Sequence, residues 1–289
     1  MFLLKFGFIL FLLFVFQFMG VERALAWGPG VHTVIALGTL ENVGLILPAI
    51  ARMLTLFPLQ YVYGCLAADF FIGKSQGRRT ESAHSWEGGF RFLREASDDE
   101  EAAYAYGFLS HLAADVVAHN FFIPNVMTAY AARRRMGHLY WEVKADQVVG
   151  SVYTKIARDV LSTDHKGCDA LLHLISGKRI NGLKAKKQLY AQSVKFSNYL
   201  STTHDLFFTG EGIRGRMFRK NLGLMIDLSR RCVEDFLGHP ESSWCLSYSP
   251  IAARDLRLVK GRRLLKRLFN PRHRTRSYGT TRPSSHERY

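Results

Sequence analysis

Sustained alternation of apolar and polar residues is missing from this 289-residue chain, and no hairpin dipeptide sits between two apolar runs. Both absences argue against a β-sandwich or barrel. Cysteine is scarce: Cys65, Cys168, Cys232 and Cys245 are scattered without CxxC spacing, so they do not form a zinc-ribbon set. Four cysteines allow three pairings, and sequence does not choose among them. The apolar run near the N-terminus is too short for a comfortable membrane span. Acidic residues are also few, 24 against 39 Lys and Arg, for a net charge of +15.

The rest is ordinary globular material. The chain is 48% hydrophobic and 22% charged, so disorder is not the default, and its length suffices for one large core or two modest ones. The excess charge is uneven, with 12 Lys and Arg against 2 Asp and Glu from Ile251 to Tyr289. Residues 251–289 are therefore expected to be a basic, flexible tail. Its start, DLRLVKGRRLLKRLF, is an amphipathic candidate that would be drawn to an anionic membrane surface or to nucleic acid.

The first 26 residues have the form of an export signal: Lys5, an apolar stretch from Phe6 to Met19, and the small-x-small site Ala24-Leu25-Ala26. Cleavage there makes Trp27 the first mature residue, with a free α-amine. The chain is accordingly expected to be periplasmic or secreted. Any membrane association would come through the N-terminus or the basic tail. The helical domain is placed at residues 27–250.

Helical periodicity runs from Val31 to Leu40, from Pro48 to Leu56, and from Pro58 to near Asp69. Gly73 to Ser82 reads as a loop, and Ala83 to Ala96 as a helix. Ser97-Asp98-Asp99-Glu100 supplies a capping signal for a long helix that Pro124 should stop or kink. A further helix should carry His138 and run to Leu161, followed by others near 168–176, 186–208 and 215–237. The expectation is an all-α, compact multi-helix bundle.

Chemistry concentrates in AYGFLSHLAADVVAHNFF. His111, Asp115 and His119 stand four residues apart, so they share one stripe of a helix otherwise made of Leu, Ala, Val and Phe. A buried charge is costly unless paired or bound to a cation, which makes this stripe a candidate metal site. His138 and Glu142 repeat the i, i+4 spacing on the next helix. Asp146, one turn on, reads as helix surface. With Trp27, His32, Asp69 and His84 upstream, five of the 11 histidines fall in this set. The other six lack acidic helical partners and read as structural or surface residues. Trp86, Phe121, Phe122, Tyr140 and Trp141 flank the set and read as core packing rather than an apolar rim.

In these stretches the sequence resembles the zinc-dependent phospholipase C family, especially the branch that includes the catalytic domain of glycosylphosphatidylinositol-specific phospholipase D. The likeness runs through GFLSHLAADVVAH, HLYWE, the turn GCLAAD and AHSW around His84. It implies a phospholipase C/nuclease-like helical fold holding three zinc ions. Asp69, His84, His111 and Asp115 would surround the first, and Asp115 would be shared with a second, held by the Trp27 amine and carbonyl and His32. His119, His138 and Glu142 would hold the third. Ala68 stands where the family usually has proline before its aspartate. The activity implied is hydrolysis of phospholipids at a membrane surface by a metal-bound hydroxide, with Asp69 orienting or deprotonating the water. A single-strand nuclease of the same superfamily and a non-catalytic, zinc-stabilised membrane-surface protein are the alternatives, so nucleic acid is the less favoured partner. No obligate protein partner is inferred.

Overall fold

The structure, a computed structural model, describes residues 27–71, 84–129, 137–176, 187, 188, 190–192, 194 and 213–251. The chain divides after Ala253. The expected signal, the 73–82 loop and the basic tail from residue 252 on lie outside the described residues. Among the described residues there is no strand, and the protein is all-α. Its helices are α1 (Pro29–Glu41), α2 (Pro48–Leu56), α3 (Pro58–Ala67), α4 (Trp86–Glu95), α5 (Asp99–Val117), α6 (Ile123–Ala129), α7 (Gly137–Val149), α8 (Ser151–Ser162), α9 (Lys166–Ser176) and α10 (Ile213–Gly238).

Helix α5 is the axis of this set, packing against α1, α2, α3, α4, α9 and α10. Its start obeys the capping signal. Asp98 accepts the Glu101 N–H at 2.8 Å, and the Glu101 carboxylate reaches back to the Ser97 N–H and hydroxyl, each at 2.8 Å. From Ala103 to Val117 the helix is buried almost all round. A helix without a polar face belongs inside a core, and α5 has neighbours on every side.

Near Pro124 the regular α5 helix gives way, as expected, and two other expectations fail for local causes. A π turn over Ala118–Phe122 precedes α6, where the Ile123 N–H reaches the Ala118 carbonyl. Widening the turn there makes room for a residue that has no N–H and would crowd the carbonyl four residues back. The His138 helix does not run to Leu161 but breaks at Gly150, whose φ of 103° is left-handed and suits glycine. Asp146 is not on the surface: it is buried, against the first turn of α1.

Close approach of α3 to α5 sets the position of the site. A Cβ on Gly64 would fall 2.1 Å from the Tyr104 carbonyl oxygen, and one on Gly107 would fall 2.1 Å from the Tyr61 oxygen. Only two glycines facing each other allow the backbones to cross this closely. The crossing lowers the Cys65 carbonyl onto the ring of His111. All four cysteines are buried free thiols. Of the aromatic residues flanking the ligand set, Phe121, Phe122 and Trp141 are buried, as expected of core. Trp86 stacks on Phe236 at 5.6 Å and donates to the Tyr248 carbonyl, and the Tyr140 side chain lies outside the described residues.

Gly107→Ala forces a methyl into backbone rather than into a yielding side chain. It should destabilise the fold by about 3 kcal/mol, read as a lowered denaturant midpoint at unchanged m-value. A midpoint equal to the parent's would show that α3 and α5 can part at little cost.

Candidate metal centre

Asp115 lies at the centre of four imidazoles. Its Oδ1 is 3.5 Å from His32 Nε2, and its Oδ2 is 3.4 Å from His84 Nε2, 3.3 Å from His111 Nε2 and 3.9 Å from His119 Nε2. His111 Nε2 also lies 3.7 Å from Asp69 Oδ1. These side chains come from separate elements. His32 sits in the first turn of α1, and Asp69 in the 3-10 turn Ala68–Phe71 that ends α3. His84 precedes α4, whose N-cap Ser85 accepts the Gly88 N–H. His111 and Asp115 share the α5 stripe, and His119 comes next, in the π turn. All are 5% exposed or less.

The spacing has a chemical meaning. His84 Nε2 and His111 Nε2 are 3.2 Å apart, and with Asp115 Oδ2 they form a triangle with edges of 3.2, 3.3 and 3.4 Å. A tetrahedral zinc ion at ordinary Zn–N and Zn–O distances sets its ligand atoms about 3.4 Å apart. Two groups can hold an ion: His84, His111 and Asp115, and His32, Asp69 and His111. The two Asp115 oxygens face different histidines, as a carboxylate shared between two ions requires.

Orientation of the rings fits the same use. His111 Nδ1–H donates to the Cys65 carbonyl at 2.8 Å, leaving the Nε2 lone pair for a ligand bond. Asp69 Oδ2 accepts the Tyr190 hydroxyl at 2.7 Å, so Oδ1 is the oxygen turned to His111. His32 Nε2, Asp69 Oδ1, Asp115 Oδ1 and Glu142 Oε1 are buried and make no hydrogen bond among the described residues. Leaving such atoms bare costs about 1–3 kcal/mol each, more for charged groups, and a shared cation removes that cost.

Charge on the buried groups reflects their crowding. Burial by itself would lower His111, but Asp115 and Asp69 outweigh it and raise the pKa to about 9. Burial opposes ionisation of Asp115, yet His111, His32 and His84 hold its carboxyl well below the usual range. His32 is lowered by burial and by the charge on His111, on which it stacks at 4.0 Å. Glu142 is pushed well above the usual range by burial and by the charges of Asp69, Asp115 and Asp146.

Asp146 joins this buried acidic group but serves α1. Its oxygens accept the Gly30 N–H at 3.1 Å and the Val31 N–H at 2.9 Å, capping that helix from α7. A Cβ on Gly28 would sit 2.5 Å from the same carboxylate. Burial nevertheless raises Asp146 to about 7 against the two N–H donors. Trp27 is tied one turn away: its indole donates to the Ala114 carbonyl at 3.2 Å and the Ser229 hydroxyl at 3.1 Å, with Phe122 at 4.4 Å. The backbone at His138 is helical, but its side chain lies outside the described residues. Sequence reasoning misses Tyr190, the capping role of Asp146 and the Cys65 carbonyl. Of these only Asp146, i+4 from Glu142, carries a local signal.

The fold and site together define an all-helical protein with a buried His and carboxylate constellation suited to zinc. Residues 31–208 match the family model described as zinc dependent phospholipase C. The match spans well over half the chain, and the chain belongs to that family. No curated protein and no solved structure matches it.

A zinc ion held by His111 would need its Nε2 free, whereas Asp115 and Asp69 favour a second proton, on Nε2, up to about pH 9. Binding below pH 9 must displace that proton, so apparent affinity should fall about tenfold per pH unit from 9 to 7. Calorimetric zinc titration of metal-free protein in two buffers of different ionisation enthalpy should show proton release at pH 7. A zinc affinity flat over that range would contradict the assignment of His111.

Proposed function

We propose that this chain is an exported zinc phosphodiesterase that hydrolyses phospholipids in a phospholipase C-like reaction. The observation that supports it most is the 3.2–3.4 Å triangle of His84, His111 and Asp115, sunk in apolar core and edged by unpaired carboxylate oxygens. Asp69 joins these three at the first ion. Trp27, through the amine freed by cleavage after Ala26, takes the second with His32 and the other oxygen of Asp115. His119, His138 and Glu142 take the third. The indole anchor of Trp27 supports its place, since it pins residue 27 beside Ala114, next to Asp115.

Zinc held there supplies a Lewis acid for phosphoryl oxygens and brings the pKa of water towards neutrality. The chain's own chemistry falls to Asp69. With Oδ2 occupied by Tyr190, Oδ1 orients the attacking water and accepts its proton. Attack on phosphorus breaks its bond to the glycerol oxygen, which takes up the proton held by Asp69, directly or through water, and leaves as an alcohol while the phosphorylated headgroup is released. Tyr190 acts through Asp69, as a positioning residue. Burial of Phe121, Phe122 and Trp141 leaves those rings no face for base stacking, which favours lipid over single-stranded nucleic acid.

Metal analysis and N-terminal mass determination of the secreted protein test this directly, with parallel assays on phosphatidylcholine and single-stranded DNA. Expected are bound zinc, Trp27 as first residue, and chelator-sensitive release of phosphorylated headgroup. A zinc-free protein, or full activity after chelation, would sink the proposal, and cleavage of DNA alone would replace it with the nuclease.

Tyr190→Phe leaves Asp69 in place but frees its Oδ2. It should weaken zinc binding or activity about 10–100-fold, measured by competition with a chromophoric chelator and by kcat/KM. Parent-like values in both assays would show that the Tyr190 hydroxyl has no part in holding Asp69.

A further inference from the structure

The stretch Val43 to Leu59, VGLILPAIARMLTLFPL, has Arg52 as its sole charged residue, and no Asp or Glu stands between Glu41 and Asp69. It forms the 3-10 turn Val43–Leu45, α2 and the start of α3. Ile50 and Leu54 are buried, on the side where α2 packs against α5. Exposed leucines recur along the stretch: Leu45 and Leu47 before α2, Leu56 at its end and Leu59 in the first turn of α3 are 62%, 43%, 56% and 39% exposed. Helix α2 itself has core on one side and exposes Arg52 and Thr55 as its polar residues. Single exposed leucines are ordinary, but a run of them so close in the chain marks a contact surface.

Charge decides between the occupants. A second copy seated on this face would bury Arg52 against its own equivalent, with no acidic residue on the stretch to pair it. A bilayer offers apolar chains to the leucines and phosphate to the guanidinium at the same depth. No described helix is long and apolar enough to cross a membrane, so contact would be in the plane of the surface.

We infer that α2, the turn before it and the first turn of α3 are an interfacial docking face, with Leu45, Leu47, Leu56 and Leu59 entering the headgroup–acyl boundary and Arg52 meeting lipid phosphate. The choice of lipid as occupant rests on the proposed phospholipid activity. The face delivers the protein to its substrate and is separate in sequence from the metal-ligating residues.

Co-sedimentation of the purified full-length protein with phosphatidylcholine vesicles, with and without phosphatidylglycerol, tests the inference. Changing Leu45, Leu47, Leu56 and Leu59 together to serine should lower vesicle partitioning about tenfold or more. Hydrolysis of a monomeric short-chain phospholipid should stay at the parent level. Arg52→Gln should weaken binding chiefly on the anionic vesicles. If the fourfold variant melts early, the pair Leu56→Ser, Leu59→Ser is read in the same way. Parent-like partitioning of the variants overturns the inference. So does loss of a dimer on size exclusion, which assigns the face to a second copy, or binding that vanishes only on deletion of residues 252–289. A parent protein that binds vesicles and hydrolyses nothing sinks the proposed function and spares the docking face, whereas hydrolysis of the soluble lipid without vesicle binding does the reverse.

Discussion

The ionised carboxylate of Asp115, buried at the centre of the helices, is the constraint on which the rest depends. Taking one carboxylate out of water costs several kcal/mol even after relaxation, and here Asp69, Glu142 and Asp146 are buried with it. Four imidazoles answer part of that charge, but only as far as they are protonated, and His32 and His111 cannot both be so while stacked at 4.0 Å. Histidine protons alone therefore make a poor neutraliser. Divalent ions do better: each brings two charges and occupies the gap that the nitrogens already outline.

Helix α5 can carry such a group because its other surfaces are apolar and enclosed. Reciprocal capping at Ser97, Asp98 and Glu101 fixes where the helix begins, and so fixes the angle of the His111–Asp115 stripe about the axis. The facing glycines at 64 and 107 then bring α3 near enough for the Cys65 carbonyl to hold the His111 ring. The π turn carries His119, the third residue of the stripe. Its extra residue per turn rotates the next side chains relative to a regular helix, so the placement of His119 is coupled to the accommodation of Pro124. Backbone features that look like packing details thus set where the site's side chains point.

Much of this is legible in the sequence because it is periodic. The His111–Asp115–His119 spacing, the capping residues, the prolines opening α2 and α3 and the absence of strand patterning are local signals, and the structure obeys them closely. His84 and Asp69 enter the candidate set only by their order in the chain and by resemblance, since nothing in their own neighbourhoods marks them. Tyr190 cannot be read at all: its partner Asp69 is 121 positions away, and a tyrosine in a helical stretch carries no mark of the group it touches. Asp146 misleads for a related reason. Its periodicity sets it on α7, but its buried status comes from the glycines at 28 and 30, which let another helix start against it. The break at Gly150 is hidden because a lone glycine is tolerated within a helical pattern, and only its positive φ reveals the turn.

Asp146 also links the candidate metal centre to the start of α1. Its two hydrogen bonds set the first turn of α1, which places His32, while Gly28 leaves space for the carboxylate between residue 27 and that turn. The same acid feels the charge of Asp69. Cations near Asp69 and Asp115 would favour its ionised form, and the ionised form is the stronger acceptor for the Gly30 and Val31 N–H groups. Filling the centre would then tighten the start of α1, and a well-formed α1 in turn holds His32 and the residue at 27 where ligands are needed. The coupling is reciprocal by necessity. Metal binding and the ordering of the first turn of α1 would then be one equilibrium, carried by a side chain that need not touch the metal.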